Sequence, residues 1–412
     1  MDYDVIVAGA GPTGSTVARK IAHEGYRVLL AEEHREVGIP THCTGKISIN
    51  ACKELELEPP HILNKVRGVV FHSPSGATFT IERKEVQAYI IDRAEFDKHL
   101  ALKAVEAGAT LSTNSRIREV VVTNSDVSVS LTLDGICEER TCRLLVAADG
   151  ANSVIARKMG FYTKKWSDVR FGVQRQTSYT AKTPEFVEVF FGRNYAPGFF
   201  AWLVPISESS ARVGLAVKPN AETSPRDYLE HLMRCHPSVS TKVKGASSES
   251  IVHPIPTGGC LSRTVGKGLL FVGDAAGQVK STTGGGLYYG MLSANIAGKV
   301  ICDSLERSSS VLKETDLEQY ESGWRERLGR EITFCQRTRA FIDSLSDEEF
   351  DYIFELLKCN EHFHMLVDAF ADIDYQSRVA MRGLPLLIGE FVKKPQILYK
   401  LARFYAPLYG KY

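Results

Sequence analysis

Short, unbroken apolar runs alternate with helical periodicity at both ends of the first two thirds of the chain. YDVIVAG, from Tyr3, and YRVLLAEE, from Tyr26, have the length and continuity of strands buried on both faces. Between them PTGSTVARKIAHEG spaces its apolar residues as a helix does and closes on Gly25. RLLVAADGA, from Arg143, and GLLFVGDAAG, from Gly268, are further runs of the first kind, each leading into an acid and a glycine. The middle reads differently. GVVFHS, ATFTIER, VQAYIID, VSVSLTL, FVEVFFG, FFAWLVP and ARVGLAV alternate in period two, the pattern of antiparallel strands with one covered face. Beyond Gly286 the period turns helical and stays so, and DLEQYESGWRERLGREITFCQRTRAFIDSL, from Asp316, is a long amphipathic stretch.

The first strand runs into Gly9-Ala10-Gly11-Pro12-Thr13-Gly14, a GxGxxG that opens a helix. Gly9 allows the tight turn, Gly11 lets a pyrophosphate approach the backbone, and Gly14 permits close packing of helix on strand. The helix start offers free N–H groups and the positive end of its dipole to phosphates. Glu32 ends the second strand, where an acid accepts from the adenosine ribose. Glu33 is the neighbouring competitor for that role. Two acid-glycine corners lie far downstream, Asp149-Gly150 and Gly273-Asp274, each at the end of an apolar strand. FAD is long, and its ribitol and flavin have to be held by segments distant from the pyrophosphate turn. Either acid taken singly also reads as a turn former or helix cap; both behind one GxGxxG point to FAD. Gly284, Gly285, Gly286 and Leu287 open the next helix. Bare backbone there leaves N–H groups within reach of a flat isoalloxazine edge, and the helix dipole favours negative charge on it.

The expected fold class is α/β, a Rossmann-type FAD-binding domain with an inserted antiparallel β-sheet substrate domain and a helical C-terminal part. The expected boundaries are 1–65, 90–165 and 260–305 for the discontinuous FAD-binding domain, 66–89 and 166–259 for the sheet domain, and 306–412 for the helical part.

The GxGxxG start, DRAEFDKHL from Asp92, AADGANSVIARKMG and GDAAGQVKSTTGGG together resemble the para-hydroxybenzoate-hydroxylase-like FAD superfamily, and within it the geranylgeranyl reductase family. The resemblance implies an enzyme that saturates isolated double bonds of polyprenyl chains. It also implies a polyprenyl lipid substrate, an electron donor (NADPH, ferredoxin or a deazaflavin) and Arg93 as a cofactor ligand. PGFFAWLVP is similar to that family's PxxYxWxFP segment, with Phe200 for Tyr and Val204 for Phe. It implies a lipid tunnel lined by Phe191, Phe200, Trp202 and Pro205; the bland alternative is a plain buried strand. GIPTHCTGKIS sets Cys43 and Gly45 at the turn the reductases carry above the flavin.

An isolated alkene has no carbonyl to absorb a hydride, so its reduction calls for a proton donor and a dry tunnel. Cys43 is the candidate donor or gate, and His42 the alternative acid. Trp202 and Tyr288 are candidates beside the flavin, although tyrosines at a helix start are more often core. Lys46, Lys280 and Arg193 are candidate headgroup cations that sequence does not separate from surface charge.

Composition narrows the rest. The 412 residues hold 50 Lys+Arg against 49 Asp+Glu, a net +1 that gives no reason to expect nucleic acid. Nine scattered cysteines without a CxxC pair read as reduced thiols and no metal site. With no apparent signal peptide or membrane span, the expectation is a cytoplasmic protein, associated with the inner face of the membrane if the aromatic and basic C-terminal segment binds it. The rival expectations are an FAD monooxygenase or quinone-linked dehydrogenase of the same superfamily, and a non-catalytic prenyl-lipid escort.

Overall fold

A computed structural model describes residues 1–133, 135–162, 168–180, 183–245 and 250–409. Six strands form the first sheet, in the order Val265–Gly266, Leu269–Phe271, Leu144–Ala147, Val5–Ala8, Val28–Ala31, Thr110–Ser112. All neighbours run parallel except the short edge strand Val265–Gly266. The apolar runs at 5–8, 28–31, 144–147 and 269–271 are buried at every position, as strands covered on both faces must be.

On one face lie the helices Pro12–His23, Arg93–Glu106 and Leu287–Arg307, packed through Val17, Ile21, Phe96 and Ile301 into a single core. On the other, the three-stranded sheet of Ser115–Val122, Val127–Leu133 and Ile136–Cys142 packs against Ile6, Leu145 and Phe271. Of the alternating segments, those at 68–72, 78–82, 186–190, 201–205 and 210–217 join the strands 169–179, 243–244 and 251–256 in an eight-stranded sheet, while VSVSLTL lies in the three-stranded one. VQAYIID departs from that grouping. Its strand Ala88–Ile91 pairs instead with Lys46–Ser48 and Ile62–Val66 in a small separate sheet.

The long amphipathic stretch is two helices, Glu314–Trp324 and Arg330–Ser344, joined by a wider helical turn at 325–329. The last helices, Ser377–Phe391 and Pro395–Tyr409, fold back so that Leu387, Phe391, Ile397 and Leu401 pack on Phe334 and Cys335. Trp324 ties the helical part to the first sheet. It is 1% exposed, and its indole N–H donates to Thr264 Oγ1 at 3.0 Å. Trp324→Ala removes that bond and a large buried ring, at a cost of ~3–5 kcal/mol. The expected outcome is a lower urea midpoint; an unchanged midpoint would show that this seam carries no stability.

Candidate functional site

Parallel pairing sets Ala8 level with Ala31 and Ala147, and Ala147 level with Phe271. The residues that follow these strands therefore meet at one edge. Gly9 turns there with φ 98°, where a Cβ would lie 2.5 Å from the Ala148 carbonyl oxygen. Gly14 has no room at all, since its Cβ would sit 1.9 Å from the Gly9 oxygen. Gly11 differs: nothing lies within 4 Å of where a Cβ would point. The helix it caps has no side-chain cap and no acid in its first turn. Its N–H groups are left for an anion.

Glu32 is buried, accepting from Ala10 N at 2.9 Å through one oxygen and from His34 N at 3.0 Å through the other. Glu33 is exposed and pairs with Arg116 at 3.3 Å, so it meets the cavity only at its rim. Asp149 accepts from Ile155 N at 3.2 Å, while its Oδ1 is buried without a partner. Burial raises its pKa. Gly150 takes φ 74° beside it. Gly273 takes φ 68° against Thr13 and opens the turn carrying Asp274. A Cβ on Gly286 would lie 2.5 Å from Asp274 Oδ1, so only glycine lets the triplet close on that acid. Gly286 starts the helix Leu287–Arg307 with no side-chain cap and no acid in its first turn. Arg93 holds Asp97 through two bonds of 2.9 and 2.8 Å. Burial opposes its charge, but Asp97 and then Cys43 outweigh burial and raise its pKa.

The donor set fits FAD. There are two uncapped helix starts, an orphaned buried carboxylate oxygen, and glycines where a Cβ would clash with backbone or with an acid.

One cavity of about 990 Å³ joins these groups to an apolar half lined by Phe71, Phe191, Phe200, Trp202, Val204 and Phe363. Phe200 stands edge-on to Trp202 at 5.9 Å and lies 6.0 Å from Phe191. Pro205 does not line the cavity, because strand alternation turns it away from the face of Trp202 and Val204, and its carbonyl accepts from Asn64. Gly14, Gly45 and Gly273 are not on the wall either; they shape the turns behind it. Gly45 takes φ 75° with its missing Cβ 2.3 Å from the Ile91 oxygen, so its part is conformational, not chemical.

Tyr288 reaches the cavity with its ring, but its hydroxyl donates to Glu54 at 2.6 Å and meets Tyr375 at 2.9 Å. Burial and then these contacts raise its pKa, so the expected catalytic role is not supported by its setting. Leu287 and the glycine triplet line the wall as expected.

Cys43 is half-buried in the cavity; its backbone carbonyl accepts from Gln174 at 3.0 Å, and its sulfur accepts from Gly45 N at 3.4 Å. His42 stacks on His253 with ring centres 4.2 Å apart and planes 10° from parallel. Burial, then the charges of His34 and Arg93, hold His42 below the usual imidazole range. Burial and then His42 pull His253 down to about 4. Both rings are neutral at neutral pH. Lys46 and Lys280 line the cavity, whereas Arg193 donates to the Leu345 carbonyl away from it. His253 and Asp374 lie in no motif, and sequence reading missed both.

A glycine-rich parallel sheet edge and a second sheet that walls an apolar extension of the same cavity define a flavin-dependent oxidoreductase. The chain belongs to the FAD binding domain family, whose model matches residues 2–328, and within it to the geranylgeranyl reductase family. It is 35% identical to digeranylgeranylglycerophospholipid reductase 2 of Methanothermobacter thermautotrophicus, over 87% of this chain and 92% of that one. It is 31% identical to digeranylgeranylglycerophospholipid reductase of Methanocaldococcus jannaschii, over 86% and 90%. A geranylgeranyl bacteriochlorophyll reductase-like protein from Thermoplasma acidophilum shares the fold, with a TM-score of 0.81 at 23% identity over 98% of this chain and 96% of that one. The cofactor is FAD.

Gly14→Val drives a side chain into the Gly9 oxygen and separates helix from strand. The purified variant is expected to lack visible flavin absorbance; a yellow variant with wild-type FAD content would remove the GxGxxG turn from cofactor binding.

Proposed function

We propose that the chain is an FAD-dependent reductase that saturates isolated C=C bonds in the prenyl chains of an isoprenoid glycerophospholipid. The observation that carries this reading is the continuity of the FAD cradle with an aromatic, apolar cavity. The names of its relatives supply the lipid class. Bound and reduced, FAD supplies the two electrons that the alkene takes up.

The chain's own residues do the remainder. The turn Gly9–Gly14 and the uncapped helix start behind it take the pyrophosphate. Asp149 and Asp274 offer acceptors to the ribitol hydroxyls, and the start of Leu287–Arg307 favours negative charge at the flavin edge. Phe191, Phe200 and Trp202 exclude water from the reacting bond. The stacked imidazoles, neutral and half-buried, are wall rather than acid. Reducing equivalents come from NADPH, ferredoxin or a deazaflavin.

Among the described residues no helix is long and apolar enough to cross a membrane. The C-terminal helices keep Leu386, Ile388, Val392 and Tyr399 in solvent, and we read this face as peripheral contact with the lipid surface that holds the substrate. Truncating these helices would strip Leu387, Phe391 and Ile397 from a core, so the test is the double substitution Val392→Glu with Tyr399→Glu. Reduced flotation with isoprenoid liposomes is expected; equal flotation discards the contact.

The reaction is tested with dithionite-reduced holoenzyme under anaerobic conditions and a geranylgeranyl glycerophospholipid. Flavin reoxidation and a product heavier by two hydrogens per double bond are expected. Reoxidation only by oxygen, stimulated by an aromatic compound, would move the protein to the monooxygenases, and a colourless protein would favour the escort reading.

A further inference from the structure

The reaction needs a proton as well as two electrons, and the imidazole that sequence offered for it is poorly suited. His42 and the His253 ring stacked on it are already neutral, and the Cys43 sulfur accepts from Gly45 N. A different group faces the same space. Lys46 lies on the strand Lys46–Ser48, all three residues of which border the cavity. Ser48 Oγ donates to Asp374 Oδ2. Lys280 Nζ takes the other oxygen of Asp374 at 2.6 Å and also donates to the Ile373 carbonyl at 3.1 Å. Tyr289 donates to the Asp374 carbonyl at 2.8 Å. The stem of Lys280 passes over the flavin loop, its Cε 2.9 Å from where a Cβ on Gly285 would lie.

Asp374 is thus fully engaged, and Lys46 has no ion pair or hydrogen bond among the described residues. One carboxylate serves two ammonium groups. The pair Lys280–Asp374 is neutral by itself, so Lys46 can give up its proton without leaving an unbalanced negative charge in a dry cavity. Lys46 is exposed, and because it borders the cavity that flavin and lipid would fill, their arrival would exclude water from it. Burial and then Lys280 pull its pKa from 10.5 to about 8, with Asp374 acting the other way. Other charged groups on the same cavity are Asp274 at the glycine triplet, Asp372 bonded to Asp374 N, Asp149, Arg339, and the pair Arg93–Asp97, with Arg212 beside Cys43.

We propose that the Lys46 ammonium is the proton donor to the alkene, a role that rests on the reading of the protein as a prenyl-lipid reductase. The π electron pair of the double bond takes the Lys46 proton to form one C–H bond. The second C–H bond is made with the two electrons and hydrogen of reduced FAD. Lys46 is left as a neutral amine and regains its proton from solvent between turnovers. An amine whose pKa lies close to the working pH is matched to such a transfer, and an imidazole that is already neutral is not.

The test uses FAD-loaded holoenzyme, reduced with dithionite and mixed without oxygen with geranylgeranyl glycerophospholipid. Lys46→Met removes proton and charge. Lys46→Arg keeps the charge but holds its proton too tightly to donate it. Both are expected to bind FAD and to be reduced at the wild-type rate, while reoxidation by lipid slows by ~10²–10⁴-fold. The wild-type rate is expected to fall as pH rises through about 8, and competitive acetylation of Lys46 to titrate at that same pH. Wild-type reoxidation by Lys46→Arg would reduce the residue to a fixed charge and overturn the proposal. A flat wild-type pH profile, or a Lys46 that titrates as an ordinary lysine, overturns it without any variant. Failure of the wild type itself to be reoxidised by the lipid would overturn the reductase reading, a result separable from loss in the variants alone.

Discussion

Parallel pairing holds Ala8 level with Ala31 on one side and with Ala147 on the other, and Ala147 level with Phe271. Everything functional hangs on that register. Parallel neighbours require crossovers, and crossovers bring each strand's successor out at the same edge. Gly9, Glu32, Asp149 and Asp274 come from positions far apart in the chain, yet each follows such a strand and arrives at the same edge. A one-residue slip in any pairing would also turn buried Val, Leu and Ile side chains out of the two cores that sandwich the sheet. Packing on both faces thus enforces the alignment that the cofactor needs.

The same topology sets the substrate wall beside the flavin. The chain leaves the edge at Asp149 and must come back to it at Asp274. The strands between them, from Val169 to Pro256, build most of the eight-stranded sheet, and so Phe191, Phe200 and Trp202 have little distance over which to stray. The helical part closes the remaining side. Its segment Ile373–Asp374 is bonded by Lys280, Ser48 and Tyr289, three residues from three parts of the FAD-binding framework. A buried pair such as Lys280–Asp374 is weak evidence for stability, because desolvation offsets much of its attraction. Its geometric effect is plain: it fixes one segment of the helical part against the flavin loop.

Periodicity and one motif made much of this legible. The four fully buried runs, the glycines of the first turn and the two acid-glycine corners read directly, because each is a local pattern with a local cause. What failed to read was set by tertiary contact. Nothing in VQAYIID separates a strand of the large sheet from one pairing with Lys46–Ser48. Tyr288 sits where a flavin contact is expected, and only the arrival of Glu54 and Tyr375 shows its hydroxyl committed elsewhere. Pro205 shares a segment with Trp202 but not a face. Lys280 meets Asp374 and His42 meets His253 across distant stretches, with no spacing that sequence could flag.

Buried polar atoms without partners are few in folded proteins, and where they gather is informative. Here His42 Nδ1, Asp149 Oδ1 and Trp202 Nε1 are all in that state, and all three residues line the one cavity. Each leaves a desolvation penalty that packing elsewhere must offset. Not every such atom lies there: the fully buried Ser281 and Ser293 hydroxyls, off the wall, are also unpartnered, whereas the Trp324 indole and the Tyr320 hydroxyl are bonded. A carboxylate oxygen and two ring nitrogens left unsatisfied along one cavity wall are what a site looks like when its remaining partners arrive with the ligand. The stability forgone at this wall therefore maps the surface that the cofactor and the lipid complete.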